Sequence, residues 1–260
     1  MERILKYYRE NSEEMRFDIK GRKLEYFSVM KILEERLFDG AKILDCAAGV
    51  GTYAFPLRQR GYDISASDIS LDHVNHMHQR ECNLKTGLRI FHCDARNLKY
   101  FQNEEFDFVL TMGPGYHLKS KEEIEGCIKE NLRVLKHNGE LLFSYMGRHF
   151  WFIELLFSKN KFKFKQALQI LQNGFISDIE EGFLSCAYFS TAEEMEEICE
   201  NLGCKIVEHR TIDCDFGHFY ESIENLTDKE YKALMGYVVN ISASKFMAGS
   251  GKNNILIIRK

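Results

Sequence analysis

Residues 43–54 read ILDCAAGVGTYA, an apolar run that stops on an acid and then turns through small residues. Within it, Gly49-Val50-Gly51-Thr52-Tyr53-Ala54 satisfies the G-x-G-x-x-[GA] spacing of a dinucleotide loop. In such a loop the first glycine follows the strand almost at once, so that backbone N–H groups and a helix N-terminus face a pyrophosphate. Here Asp45-Cys46-Ala47-Ala48 intervenes. A carboxylate within several ångströms of a pyrophosphate is repulsive, at a cost on the order of kcal/mol in a partly desolvated site. An acid at this corner favours a cationic or amino-bearing ligand. S-adenosylmethionine has a sulfonium, an ammonium and no phosphate. The small residues from Ala47 through Gly49 to Gly51 let backbone approach such a ligand closely.

Outward from this loop, short strand-like runs alternate with helix-like ones. The strand candidates are AKILDCA (41–47), YDISASD (62–68), LRIFHCD (88–94), FDFVLTM (106–112) and GELLFSYM (139–146). CKIVEHRTI (204–212) and NNILIIRK (253–260) follow, the last read as a final edge strand. Segments 69–84, 120–136 and 191–203 carry apolar residues at helical steps, with Gly139 as a stop signal beyond the second. This alternation predicts an α/β fold, a mostly parallel seven-stranded sheet with helices on both faces. Right-handed crossovers bring the C-terminal ends of the parallel strands to one edge, where ligands bind.

Three further strand ends suit the same ligand. Asp68-Ile69 closes the second strand, about 20 residues past the glycine loop, where an acid accepts from ribose hydroxyls. Asp94-Ala95 closes the third, where a carboxylate can accept from an adenine amino group. Met112-Gly113 closes the fourth, beneath the methionine portion.

At this point the chain resembles the class I S-adenosylmethionine-dependent methyltransferases. DCAAGVG is similar to their first glycine loop, D-x-[GA]-x-G-x-G, and TMGPGYHL (111–118) resembles the L-G-P-L-Y-H-L signature of a bacterial small-molecule branch. RFDIKGRKLEYFSVMKIL (16–33) and FSYMGRHF (143–150) resemble that branch's N-terminal and post-fifth-strand segments. The resemblance implies a Rossmann-like methyltransferase fold with added helical lids, and cofactor contacts from the positions of Asp45, Gly49, Asp68 and Asp94. Two departures stand out. Ala47 replaces a commoner glycine, which is tolerable if its φ is negative. Gly115 replaces a usual leucine, which implies a roomier substrate pocket or a looser loop.

The expected organisation is an N-terminal helical lid (1–40) and a Rossmann-like domain (41–260), with a lid insertion at about 147–190 and a helical insertion at about 216–250. Tyr116-His117 follows the fourth strand at the active edge. A histidine titrating near pH 6.5 can accept a proton, so His117 is expected to orient or deprotonate the acceptor while Tyr116 shapes the pocket. Tyr8, Tyr26, Arg148 and His149 are candidates for substrate contact. Arg16 is one for clamping the cofactor carboxylate. KNKFKFK (159–165) alternates lysine with aromatic residues and is read as a solvated lid edge. His73, His76 and His78 lack a carboxylate or cysteine constellation, so no metal is expected.

Composition narrows the function classes. A net charge of −4 offers no footprint for nucleic acid. No basic-then-apolar leader opens the sequence and no apolar run reaches bilayer length, so a cytoplasmic protein without a membrane partner is expected. The eight cysteines form no C-x-x-C pair and are read as reduced thiols. The leading expectation is a methyltransferase, monomeric or homodimeric, that uses S-adenosylmethionine, releases S-adenosylhomocysteine and acts on a small organic acceptor. The alternatives are an RNA or protein methyltransferase, a non-catalytic cofactor sensor or partner subunit, and an NAD(P)-dependent reductase. Asp45 and the lack of a Y-x-x-x-K pair after the fourth strand oppose the last.

Overall fold

A computed structural model of the chain describes residues 2–10, 18–157 and 163–260. In chain order the elements are α1 (Glu2–Glu10), α2 (Lys20–Arg36), β1 (Lys42–Cys46), α3 (Ala54–Gln59), β2 (Asp63–Asp68), α4 (Leu71–Leu84), β3 (Arg89–His92) and β4 (Phe106–Thr111). There follow α5 (Lys121–Val134), β5 (Leu135–Gly147), α6 (Arg148–Leu156), α7 (Lys163–Asn173), β6 (Phe189–Ser190) and α8 (Ala192–Asn201). The last elements are β7 (Lys205–Thr211), α9 (Tyr220–Glu224), α10 (Asp228–Ser242) and β8 (Asn253–Arg259).

The strands form one sheet in the order β3-β2-β1-β4-β5-β8-β7, with the two-residue β6 paired to the end of β5 off that path. From β3 to β5 all pairing is parallel, with Leu44 of β1 opposite Ser65 on one side and Val109 on the other. β8 runs antiparallel to both β5 and β7. It therefore lies inside the sheet, which corrects the expectation of an edge strand. The reason is visible in its composition: Ile255, Leu256, Ile257 and Ile258 are all fully buried. A run apolar at every position is suited to a strand covered on both faces, and an edge would leave it an open ladder.

Side-chain alternation along the strands divides the core between the two faces. Ile43 packs with Val29, Leu33, Phe55, Ile64 and Met77, on the side of α2, α3 and α4. Its neighbour Leu44 packs with Phe106, Ile124, Ile128, Leu141 and Met195, on the side of α5 and α8. Helix starts are set by side-chain caps. Ser70 and Ser120 accept from the amides of His73 and Glu123. Thr191 and Thr227 form reciprocal capping boxes with Glu194 and Glu230.

Two groups of helices flank the active edge. α6 and α7 build a third cluster in which Leu155, Ala167, Ile170 and Phe189 pack with Tyr116 and Met146. Near α2, Leu24 packs with Ile223, Tyr231 and Val238 from α9 and α10, and the Tyr231 hydroxyl donates to the Lys20 carbonyl at 2.7 Å.

Gly115 sits in the 3-10 turn Pro114–Tyr116, against β5. A Cβ there would collide with the Ser144 carbonyl oxygen and lie 2.7 Å from the Phe143 ring. The missing side chain thus lets the turn approach the sheet backbone, and neither a roomier pocket nor a looser loop follows from it. Gly115→Leu is expected to destabilise the fold by about 3 kcal/mol or to prevent folding, since overpacking beside backbone has little room to relax. Thermal unfolding followed by circular dichroism reads this directly.

Candidate active site

The parallel strand ends open onto a cleft with about 1020 Å³ of empty space, its open mouth included. Its floor is the turn after β1, its far wall the ends of β2 and β3, and its near wall the segment from Met112 to Leu118. α1 roofs it with Ile4, Leu5 and Tyr8.

The turn is pinned by Asp68. Its Oδ2 accepts from the Gly49 amide at 2.8 Å, and its Oδ1 accepts from the Ser70 amide at 2.8 Å. His73 Nδ1 lies 3.3 Å from the same Oδ1. One carboxylate thereby joins the glycine turn to the start of α4. A carboxylate oxygen has about two acceptor sites, so Oδ1 is filled from within the chain and Oδ2 retains one for a ligand hydroxyl. That is one acceptor site where the sequence suggested a pair of ribose contacts.

The turn itself holds three left-handed residues: Ala47 at φ 61°, Gly49 at 58° and Gly51 at 79°. The condition under which Ala47 substitutes easily for glycine is not met, because an alanine in this region costs about 1 kcal/mol or more. Its methyl faces Gly113 across the cleft. Gly51 is not on the cleft wall; a Cβ there would strike the Phe55 ring at 2.7 Å, so it serves the packing beneath the turn.

Asp45 is 1% exposed, and among the described residues neither oxygen has a hydrogen-bond partner of ordinary geometry. Burial pushes its carboxyl up to about 7; the Ala54 amide facing it opposes that rise, and the Asp68 charge adds to it. A buried, unsatisfied carboxylate beside a cleft is costly by itself and favourable to an incoming cation. Asp94 is the reverse case. Burial acts to raise its carboxyl, but contacts with Arg96 at 2.8 to 3.3 Å outweigh that and hold it below the usual range. Arg96 also reaches Glu123 at 2.7 Å. Asp94 is therefore already committed to a guanidinium, and an adenine amino group would have to share it.

On the near wall, His117 Nδ1 lies 3.0 Å from the Cys186 carbonyl, and Nε2 lies 2.7 Å from the Tyr8 hydroxyl. A carbonyl only accepts, so Nδ1 carries a proton, and in the neutral tautomer Nε2 accepts the Tyr8 O–H. Tyr116 is 3% exposed, its carbonyl accepts from the Tyr188 amide at 2.7 Å, and its ring belongs to the α6–α7 cluster. It both lines the cleft and braces the helices beside it.

Of the sequence candidates, the cleft gathers Asp45, Ala47, Gly49, Asp68, Ile69, Asp94, Ala95, Met112, Tyr116, His117 and Tyr8. Others lie elsewhere. Tyr26 stacks on the outer face of Tyr53 at 5.8 Å and lines a separate groove with Lys23, His76 and Arg80. Arg148 bonds the Phe189 carbonyl and Glu194, tying the start of α6 to β6 and α8. His149 is exposed at the start of α6. Arg16 is outside the described residues.

Sequence reasoning missed one contributor. His73, considered from the sequence only as a metal ligand, is buried in the cleft wall with its ring 5.0 Å from that of Tyr8. Its position three residues after a capping serine was the available signal. Glu25 lines the cleft and accepts from Asn253 Nδ2 at 3.2 Å, and the same amide bonds Asp213 at 2.9 Å. Asn253 lies 228 residues along the chain, so no local pattern announces this contact.

Residues 43–139 match a family described as methyltransferase domain. A glycine/sarcosine N-methyltransferase of Aphanothece halophytica is 32% identical over 120 residues, covering 45% of this chain and 43% of that protein. The chain thus spans less than half the length of this curated relative. Over its whole length the fold is similar to the PH0226 protein of Pyrococcus horikoshii OT3, with TM-score 0.67, 17% identity and 98% of each chain covered. It is also similar to a SAM-dependent methyltransferase structure from Methanosarcina mazei, with TM-score 0.59, 20% identity, 88% of this chain and 96% of that one. The chain thus shares the Rossmann-like fold of these structures.

The Asp45 carboxyl titrates near 7 in the folded chain and near 3.8 when exposed. Between these values the native state holds the extra proton, so its contribution is fully present below the lower value and is lost as pH rises through the upper. Asp213 shares this behaviour, with burial again the main cause. Asp45→Asn isolates one of the two: its stability in urea should exceed the parent's at pH 8 and converge with it near pH 4.

Proposed function

We propose that the chain is an S-adenosylmethionine-dependent methyltransferase that moves a methyl group to a small organic acceptor by in-line displacement. The observation that supports this reading most is the buried Asp45 carboxyl at the floor of the glycine turn, which faces the Ala54 amide and no side-chain partner among the described residues. Together with Asp68 it makes the cleft acidic where a nucleotide fold would need donors for phosphate. A ligand with positive groups and no phosphate relieves the cost of that burial, and a diphosphate increases it.

When bound, S-adenosylmethionine supplies a methyl carbon made electrophilic by the sulfonium. Asp45 is placed to accept from the ligand's ammonium or to balance its charge. Asp68 offers its remaining Oδ2 acceptor site to a ribose hydroxyl. Ala47 and Gly49 admit ligand against backbone, and Ala95 and Ile69 offer apolar contact on either side of the base. The chain's contribution to rate is then orientation and exclusion of water, which together remove roughly 7–11 kcal/mol of barrier in favourable systems.

Tyr8 and His117 form the proton-handling pair. A protonated acceptor can donate to the Tyr8 oxygen while the Tyr8 proton moves to His117 Nε2, and the Cys186 carbonyl holds the Nδ1 proton of the resulting imidazolium. The roof supplied by α1 supports a small acceptor over a macromolecular one, because Ile4, Leu5 and Tyr8 stand across the mouth. The name of the Aphanothece relative, a glycine/sarcosine N-methyltransferase, supports a small amine as the first class to try.

Titration calorimetry should show heat on adding S-adenosylmethionine or S-adenosylhomocysteine and none on adding NADH. Incubation with methyl-labelled cofactor and a metabolite extract should label a small product. Tight NADH binding without any response to the sulfur compounds overturns the reading; binding without a labelled product moves it to a cofactor sensor. Within the enzyme reading, His117→Ala should lower turnover by roughly 100-fold with cofactor affinity nearly unchanged. Equal turnover of parent and variant from pH 6 to 8 would remove His117 from proton handling.

A further inference from the structure

The lysine–aromatic alternation at 159–165 leads into α7, and α7 carries more apolar surface than its packing uses. Its inner side chains Ala167 and Ile170 are fully buried against the cluster that contains Tyr116. Beside them runs a second stripe: Phe164, Leu168 and Leu171, spaced i, i+4, i+7, are 54%, 37% and 48% exposed. Phe157, just after α6, is 78% exposed. An apolar stripe of this kind, continuous along a helix rather than scattered, marks a surface that meets something.

Charge indicates what it meets. The chain is acidic overall, at −4, yet from residue 155 to residue 177 the sequence holds Lys159, Lys161, Lys163 and Lys165 and no acid. Lys163 and Lys165 stand in the first turn of α7 beside Phe164, and Lys165 pairs with Asp178 at 2.8 Å with both partners open to solvent. Lysines flanking exposed phenylalanine and leucine match a phospholipid surface: the apolar side chains enter the boundary of head groups and acyl chains, while the ammonium groups stay at the level of anionic lipid phosphates. Among the described residues no helix is long and apolar enough to cross a membrane, so the contact would be peripheral.

We propose that the outer stripe of α7, with Phe157, docks the protein onto anionic bilayer surfaces. This departs from the expectation that the chain has no membrane partner; residues 159–162 of the lysine–aromatic run lie outside the described residues. Because the inner side of α7 packs on the Tyr116 cluster, docking would set the cleft close to the lipid surface. The surface reading does not depend on the methyl-transfer reading; the two are tested by separate measurements.

The test is co-sedimentation of the full chain with vesicles of phosphatidylglycerol and phosphatidylcholine in equal parts, against vesicles of phosphatidylcholine alone. Binding is expected to the first, to fall with added salt, and to be at least tenfold weaker to the second. The combined change Phe164→Ser, Leu168→Ser and Leu171→Ser should abolish it while leaving the circular dichroism spectrum and melting temperature unchanged. Lys163→Gln with Lys165→Gln, which leaves the apolar stripe intact, should weaken binding to anionic vesicles alone. Failure of the parent to sediment with either vesicle overturns the proposal, as does binding that survives the triple change. A concentration-dependent dimer that the triple change dissociates, without vesicle binding by the parent, would give the stripe to a second copy of the chain instead.

Discussion

The site depends on one carboxylate used in three directions. Asp68 ends β2, yet it accepts from the amide of Gly49, from the amide that starts α4 and from the ring of His73. It therefore fixes the height of the glycine turn relative to the neighbouring strand end. It acts together with the Ala48 amide, which donates to the Ser67 carbonyl at 2.9 Å, to fix the path of three left-handed residues in close succession. The anchor also clarifies the contrast with Asp45. Both acids are almost completely buried at adjacent strand ends, Asp68 accepting from two amides and a ring, Asp45 facing the Ala54 amide and no side-chain partner among the described residues.

A polar line on the opposite wall has the same character. The Cys186 carbonyl, the His117 ring and the Tyr8 hydroxyl form a continuous chain from the helical insertion to the roof. Each link belongs to a different part of the sequence, so the roof is set by the same ring that faces the cleft. α1 is fastened at its outer side as well, by Lys6 to Glu181 and by Arg3 to the Ile179 carbonyl. Those outer contacts are exposed and add little to stability, so the inner bond carries most of the positional information.

What the sequence made legible was whatever repeats with a fixed period or sits at a strand end. The alternation of elements, the run of Asp45, Asp68 and Asp94 along one edge, and the placement of His117 all follow from local spacing. What it hid depends on distance or on backbone angle. Nothing near residue 8 indicates a bond to residue 117, and nothing near residue 25 indicates Asn253. Ala47 reads as a benign replacement until its φ is known. Arg148 looked like a ligand clamp because of where it falls in the chain, but Glu194 and the Phe189 carbonyl claim it. Tyr26 is in the right helix, one ring too far out.

The place of β8 between β5 and β7 bears on how the chain assembles. Those two strands are synthesised before the one that must separate them, so the ladder cannot be completed in the order in which residues leave the ribosome. Until residues 253–259 emerge, β5 presents an open apolar margin and β7 has no neighbour to hydrogen-bond. Such long-range closure is slow and leaves a sticky intermediate. A nascent chain stalled shortly before β8 would be a natural client for chaperones.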